Sequence, residues 1–123
     1  MGVLVDTSVL IDHLRGHPKA AELLAAERLV GPVHASEITR LDVLAGMRVH
    51  EQERTRVLLS VLHWHPVDEH VAEKAGELGR LLPSHGGIDS ADLAVAATAI
   101  GLDARLLTLN VRHYPMFDPR RPY

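Results

Sequence analysis

The chain has 123 residues, a formal net charge of −3, 46% hydrophobic and 24% charged residues, and no cysteine. This composition indicates one globular domain, excludes disulfides and thiolate chemistry, and requires any nucleic-acid binding to come from a local basic patch. No apolar run approaches the ~20 residues of a membrane span, so we expect a cytoplasmic protein that does not bind membranes.

Short apolar strands alternate with amphipathic helices along the chain. Val3-Leu4-Val5 predicts a buried strand, and Asp6-Thr7-Ser8 favours the start of a helix that ends near Gly16. The remaining predicted elements are a helix over 18–27, a strand ending at 35, a helix capped by Ser36, a helix over 51–62, a strand over 63–67, a helix over 68–82, a loop over 83–87, a helix over 89–101 and a strand at 106–107. This alternation predicts an α/β fold with a short, mostly parallel central sheet flanked by helices.

Asp6 directly follows the first predicted strand. Ligands of open parallel sheets bind beyond the carboxyl ends of the strands, so Asp6 is a candidate site residue. The alternative is that Asp6 serves only as a helix cap.

Three more acidic residues and one amide are candidates for the same site. Asp42 lies four residues after Ile38 and shares an apolar helix face, where a carboxylate is costly unless it is paired or reaches water at the edge of that face. Asp89 and Asp92 begin the last predicted helix, where they either complement the helix dipole or point towards the strand ends. Asn110 follows the last strand and is either a turn residue or an oxygen ligand.

Carboxylates that converge at a sheet edge suit Mg²⁺ or Mn²⁺, and such clusters cleave phosphodiesters. A nuclease or a phosphatase fits this chemistry, but Ser8 stands where an aspartyl phosphatase has its second Asp. His63-x-His65 is either a zinc-binding pair or simply flanks Trp64 on a half-exposed strand.

Four segments resemble the motifs of PIN domains, in particular the VapC toxins of VapBC toxin–antitoxin systems. They are Val3 to Asp12, Ser36-x-x-Thr39-x-x-Asp42-x-x-x-Gly46, Asp92 to Ala99, and Leu107 to Tyr114 with its continuation to Phe117. Each motif is weak alone, whereas their order and spacing together match over essentially the whole chain. The resemblance implies a single PIN-like ribonuclease domain over residues 1–123.

The resemblance also implies a metal-dependent endoribonuclease that uses Mg²⁺, with Mn²⁺ as a plausible substitute. Asp6, Asp92 and Asp42 match its acidic metal positions, with Asp89 and Asn110 as less certain ligands. Thr7 matches a supporting hydroxyl beside the first Asp. Its implied partners are an RNA substrate, a cognate VapB-type antitoxin and a second copy of the chain in a homodimer.

This chain departs from the family pattern at two positions. Asp42 replaces the usual Glu, and Asn110 replaces a frequent acid, which keeps open a second interpretation: a degenerate PIN module that binds RNA or protein without cleaving. His113 also stands where many relatives carry an acid. Basic residues expected to rim the site and bind RNA phosphates include Arg15 and Arg112.

Overall fold

Four short strands form the centre of the computed structural model, which describes residues 2–82, 88–117 and 119–123. The strands are β1 (Val3–Val5), β2 (Val33–Ser36), β3 (His63–His65) and β4 (Arg105–Leu107), and their order across the sheet is β3-β2-β1-β4. All neighbouring pairs are parallel. The predicted parallel α/β sheet is confirmed, and the carboxyl ends of all strands meet at one edge.

Six α-helices connect and cover the strands in the described ranges. They are α1 (Thr7–Leu14), α2 (Pro18–Val30), α3 (Glu37–Ala45), α4 (Gln52–Ser60), α5 (Glu69–Leu81) and α6 (Ser90–Leu102). The predicted cap at Ser36 forms, since its hydroxyl accepts a hydrogen bond from the N–H of Ile38. No helix in these ranges is both long and apolar enough to cross a membrane.

Several element boundaries differ from the sequence prediction; for example, the helix predicted over 18–27 continues to Val30. The helix predicted over 51–62 is shorter, because Val49–Glu51 forms a separate 3₁₀ turn in which the Glu51 carboxylate accepts the N–H of Arg48. The strand predicted over 63–67 ends at His65, where its pairing with Ser36 ends. The loop predicted over 83–87 lies outside the described residues.

Alternation along β1 divides the core into two layers. Val3 and Val5 pack into one cluster with α1, α2 and α4, whereas Leu4 faces the opposite side and packs with α6. Alanines dominate the buried side of α6, which lets this helix lie close to the sheet. The close fit brings the first turn of α6 towards the carboxyl end of β1.

Candidate active site

Asp6 lies at the carboxyl edge of the sheet, between β1 and β4. Its backbone N–H donates to the carbonyl of Leu107 at 2.9 Å, and its side chain is buried with the residue only 6% exposed. Although Asp6 occupies the N-cap position of α1, its side chain makes no capping hydrogen bond. Its Oδ2 instead accepts from the hydroxyl of Thr108 at 2.8 Å. The carboxylate therefore has a different structural task from capping this helix.

Asp92 is brought to the same place by the start of α6. Asp89 and Asp92 form a reciprocal capping pair: Oδ1 of Asp89 accepts the N–H of Asp92 at 3.0 Å, and Oδ2 of Asp92 accepts the N–H of Asp89 at 3.2 Å. The Asp89 residue is exposed, whereas the Asp92 side chain is 16% exposed. The fold thus gives the two acids different surroundings, with Asp92 turned inwards.

Tyr114 lies beside the two inward-facing carboxylates. This residue is fully buried, and its hydroxyl donates to Oδ1 of Asp92 at 3.3 Å. The hydroxyl is also close enough to Asp6 for the charge of that carboxylate to act on it. Burial, together with the negative charges of Asp6 and Asp92, raises the pKa of Tyr114, so the phenol remains a hydrogen-bond donor.

Burial raises the pKa of Asp6, and the nearby charge of Asp92 raises it further against the lowering effect of the Thr108 hydrogen bond. Burial also raises the pKa of Asp92, and the charge of Asp89 adds to this against the lowering effect of the hydrogen bond from the Asp89 N–H. Both shifts disfavour the ionised forms. Two carboxylates in this condition are the kind of group that a bound cation stabilises.

Asp42 and Thr7 lie beside this pair rather than within it. The Thr7 hydroxyl donates to Oδ2 of Asp42 at 3.3 Å, which joins the start of α1 to α3. Asp42 is exposed, so its carboxylate reaches water at the edge of the apolar face predicted for α3. Asn110 is also exposed, and its backbone N–H donates to the hydroxyl of Thr108 at 3.0 Å.

Of the basic candidates, Arg112 belongs to a 3₁₀ turn (Val111–His113) next to the site and is exposed. Arg15 follows the far end of α1 from Asp6 and forms an ion pair with Glu51 at 3.2 Å. His113 contacts Oδ2 of Asp92 through its Nδ1 at 3.3 Å. The ring thus faces the carboxylate at the position where an acid is frequent in the family.

Sequence reasoning does not single out two hydroxyls that hold the site. Thr108 immediately follows β4, and the pairing of Val5 with Leu107 places it next to Asp6. The strand-end rule that identifies Asp6 would therefore also find Thr108. Tyr114 stands out in the sequence only as part of a motif, and no local pattern indicates that its hydroxyl points at Asp92.

The donor set fits a hard divalent cation bound through few protein ligands. Among the residues that the structure describes, no three acidic or histidine side chains are close enough to form a complete metal cage. Mg²⁺ commonly binds proteins through one or two carboxylates and keeps waters or substrate phosphates as its other ligands. The inward-facing pair of Asp6 and Asp92 satisfies that requirement.

Two cavities lie away from these carboxylates. One of about 540 Å³ is bordered by Trp64 and by side chains of α3 and α4, and another of about 390 Å³ lies between α1, α2 and α4. The acidic chemistry is at the sheet edge, which accommodates a long polymer better than a closed pocket does.

The histidines of β3 contact another strand. Nε2 of His65 lies 2.8 Å from Nδ1 of His34 on β2, so the two rings share a hydrogen bond. His63 is exposed on the same strand. The half-exposed Trp64 between them donates its indole N–H to the carbonyl of Leu59.

Comparisons with known proteins agree with the fold. Residues 3–115 match the family model described as the PIN domain. The chain is 46% identical over 121 residues to Ribonuclease VapC19 of Mycobacterium tuberculosis, covering 97% of each chain. It is 39% identical to Ribonuclease VapC10 of the same organism, covering 98% of this chain and 91% of the relative. A solved toxin–antitoxin complex from Klebsiella pneumoniae contains a chain that superposes with a TM-score of 0.83 at 27% identity, covering 99% of this chain and 98% of that one.

Proposed function

This chain belongs to the PIN-domain family, and we propose that it is an endoribonuclease, the toxin of a VapBC-type toxin–antitoxin pair. Relatives called ribonucleases align with it over nearly its full length. The observation that carries the proposal is the convergence of Asp6 and Asp92 at the carboxyl edge of the sheet, where the charge of Asp92 raises the pKa of Asp6. Because its substrate would be RNA, we propose that it acts in the cytoplasm.

We assign Asp6 and Asp92 as the residues that hold a divalent ion, Mg²⁺ or Mn²⁺. Asp42, which accepts a hydrogen bond from Thr7, is assigned as a third acid beside this pair. The chemistry supplied by such an ion, when bound, is Lewis-acid activation of water and of phosphodiester oxygens. Asp89 serves the start of α6, and Asn110 offers a neutral oxygen at the rim. This assignment gives Asp89 and Asn110 supporting roles.

The residues of this chain orient the acids before RNA arrives. Thr108 fixes one oxygen of Asp6, and the capping pair at the start of α6 fixes one oxygen of Asp92. Each carboxylate keeps oxygen lone pairs that are free to bind a further partner such as the ion. Arg112, exposed on the adjacent turn, is placed to bind an RNA phosphate without reading sequence.

The test is cleavage of RNA by purified protein with Mg²⁺ or Mn²⁺, together with growth inhibition on expression. We expect Asp6→Asn and Asp92→Asn to reduce cleavage by ~10²-fold or more while the fold is kept. Asp12→Asn is the matched control, because Asp12 lies on α1 but bonds to Tyr123. Full activity in either site variant would refute the assignment.

The second candidate is a PIN module that binds RNA or a protein without cutting. The exposed position of Asp42 and the neutral Asn110 favour it, because they leave only the buried Asp6 and the partly buried Asp92 as acids turned into this edge. RNA binding without metal-dependent cleavage in wild type would select this candidate.

Exposed apolar side chains support partner surfaces. Val57 on α4 is 52% exposed and borders the cavity between α1, α2 and α4, where we propose that the antitoxin binds. Val57→Glu should then abolish co-purification with the antitoxin, whereas Val67→Glu, at a 43% exposed valine outside the cavity, should not. A homodimer is proposed through other exposed apolar residues, including Leu41 and Leu44 of α3, and light scattering of the purified chain tests it.

A further inference from the structure

Tyr114 places a hydroxyl inside an apolar layer. Its ring is fully buried and packs with Leu4 of β1 and with Val95 and Ala96 of α6. A phenylalanine would fill nearly the same space without bringing a polar atom into the core. A buried hydroxyl is costly unless it is hydrogen-bonded, so its partners explain why a tyrosine is accommodated here.

The partner of this hydroxyl is one of the two acids of the site. The hydroxyl donates to Oδ1 of Asp92 at 3.3 Å. The other oxygen of that carboxylate, Oδ2, accepts the N–H of Asp89 at 3.2 Å and lies 3.3 Å from Nδ1 of His113. In the described part of the chain, Tyr114 is thus the group that contacts Oδ1 of Asp92.

We propose that Tyr114 is a positioning residue whose hydroxyl holds the Asp92 carboxylate in the orientation that receives the divalent ion beside Asp6. This inference rests on the proposed function, because it assigns a role towards the ion of that site. Neighbouring carboxylates repel one another, and a donor fixed in the core opposes rotation of the Asp92 carboxylate away from Asp6. Without the hydroxyl, Asp92 loses the partner that fixes its Oδ1.

The expected loss of metal affinity can be judged from other metal sites, where hydrogen bonds orient the ligands of the metal. Removing a group that orients a metal ligand costs about 10–100-fold in metal affinity or activity. Tyr114→Phe keeps the buried ring, so we expect the fold to be retained and the Kd for Mn²⁺ to rise by ~10-fold or more. At Mn²⁺ concentrations that saturate both proteins, the kcat for RNA cleavage should fall while the KM for RNA stays the same, because Tyr114 is buried and cannot contact RNA.

Tyr123→Phe is the matched control. Tyr123 also donates its hydroxyl to a carboxylate, at 2.8 Å to Oδ2 of Asp12, but away from the site. The variant loses the same kind of bond, so it should bind Mn²⁺ with the wild-type Kd. Circular dichroism and thermal unfolding without metal establish that both variants are folded.

The decisive experiment counts free Mn²⁺ by electron paramagnetic resonance as it is titrated into metal-free protein without RNA. Weaker binding by Tyr114→Phe alone supports the inference. Equal Kd values for wild type and Tyr114→Phe overturn it, even if wild type cleaves RNA. If wild type neither binds Mn²⁺ nor cleaves RNA, the proposed function fails and the inference fails with it. A Tyr114→Phe protein that does not fold would also overturn the inference, because the hydroxyl would then be needed for packing of the core.

Discussion

Replacing Asp6 by asparagine should stabilise the metal-free protein at neutral pH. Burial raises the pKa of Asp6 and the neighbouring Asp92 raises it further, so folding favours the protonated form. Such a group contributes its full stabilisation of the folded protein below its unfolded pKa of ~3.9. This stabilisation is lost as pH rises through the folded pKa. In Asp6→Asn the side-chain amide would carry no charge at any pH, and its oxygen could still accept the hydrogen bond of Thr108.

The magnitude follows from the size of the chain. Asp6 keeps some compensation from Thr108, so relief of its buried charge is worth about 1–2 kcal/mol, the lower part of the usual penalty. Unfolding entropy of ~2.1 cal/mol/K per residue gives about 0.26 kcal/mol/K for 123 residues. The Tm of Asp6→Asn without metal should therefore exceed that of wild type by about 4–8 °C near pH 7.5, and this advantage should shrink towards pH 4.

Divalent ions should reverse the order of stability. An ion at ~100 times its Kd stabilises a protein that binds it only when folded by ~2.7 kcal/mol, or about 10 °C for this chain. Thermal unfolding in EDTA and across a Mn²⁺ titration at constant ionic strength measures both effects. Wild type should show the full shift, Asp6→Asn a much smaller one, and Asp12→Asn the wild-type response. An Asp6→Asn protein that is no more stable than wild type in EDTA, or that keeps the full Mn²⁺ shift, would refute this reasoning.

Other substitutions test neighbouring parts of the molecule. Asp42→Glu should retain or increase cleavage, because the longer acid is usual at this position in the family, whereas Asp42→Ala should be strongly impaired; equal rates for Ala and wild type would show Asp42 to be only surface. Thr108→Val should lower stability by about 1–3 kcal/mol in chemical denaturation, because it leaves Oδ2 of Asp6 and the N–H of Asn110 without their shared partner. Asp103 ends α6 with a left-handed φ of 52°, so Asp103→Gly should raise stability by about 0.5–1 kcal/mol, and a decrease would contradict this interpretation of the cap.

The parallel fold could be predicted because local signals agree with the final packing. Some elements can be identified from their own residues alone. Examples are the apolar run of β1, the capping residue Ser36 and the small-residue face of α6. Boundaries are less predictable where a contact between elements decides them. The strand that begins at residue 63 ends at His65 because its pairing with β2 ends there. The residues of β3 carry no signal for where β2 ends.

The acids of the site could likewise be predicted from strand ends and motifs, but their unequal surroundings could not. Asp89 and Asp92 are three residues apart and both suit a helix start, yet only the packing of α6 decides which is turned inwards. Asp42 has an apolar pattern around it and is nevertheless exposed, because α3 leaves the edge of that face uncovered. Sequence periodicity gives the direction of a side chain around its helix, whereas exposure depends on what packs against it.

The proposed site has two acids turned inwards, and this number has a consequence for how the ion and RNA bind. Two carboxylates can fill only part of the coordination of Mg²⁺, which leaves places for water and for phosphate oxygens. A substrate phosphate that enters this coordination strengthens ion binding, and by thermodynamic linkage the ion strengthens RNA binding by the same factor. The neutral Asn110 and the His113 ring beside Asp92 supply no further negative charge where the family often has acids. In this chain the RNA backbone itself is therefore expected to complete the metal site, so that the ion is held most tightly when the substrate is in place.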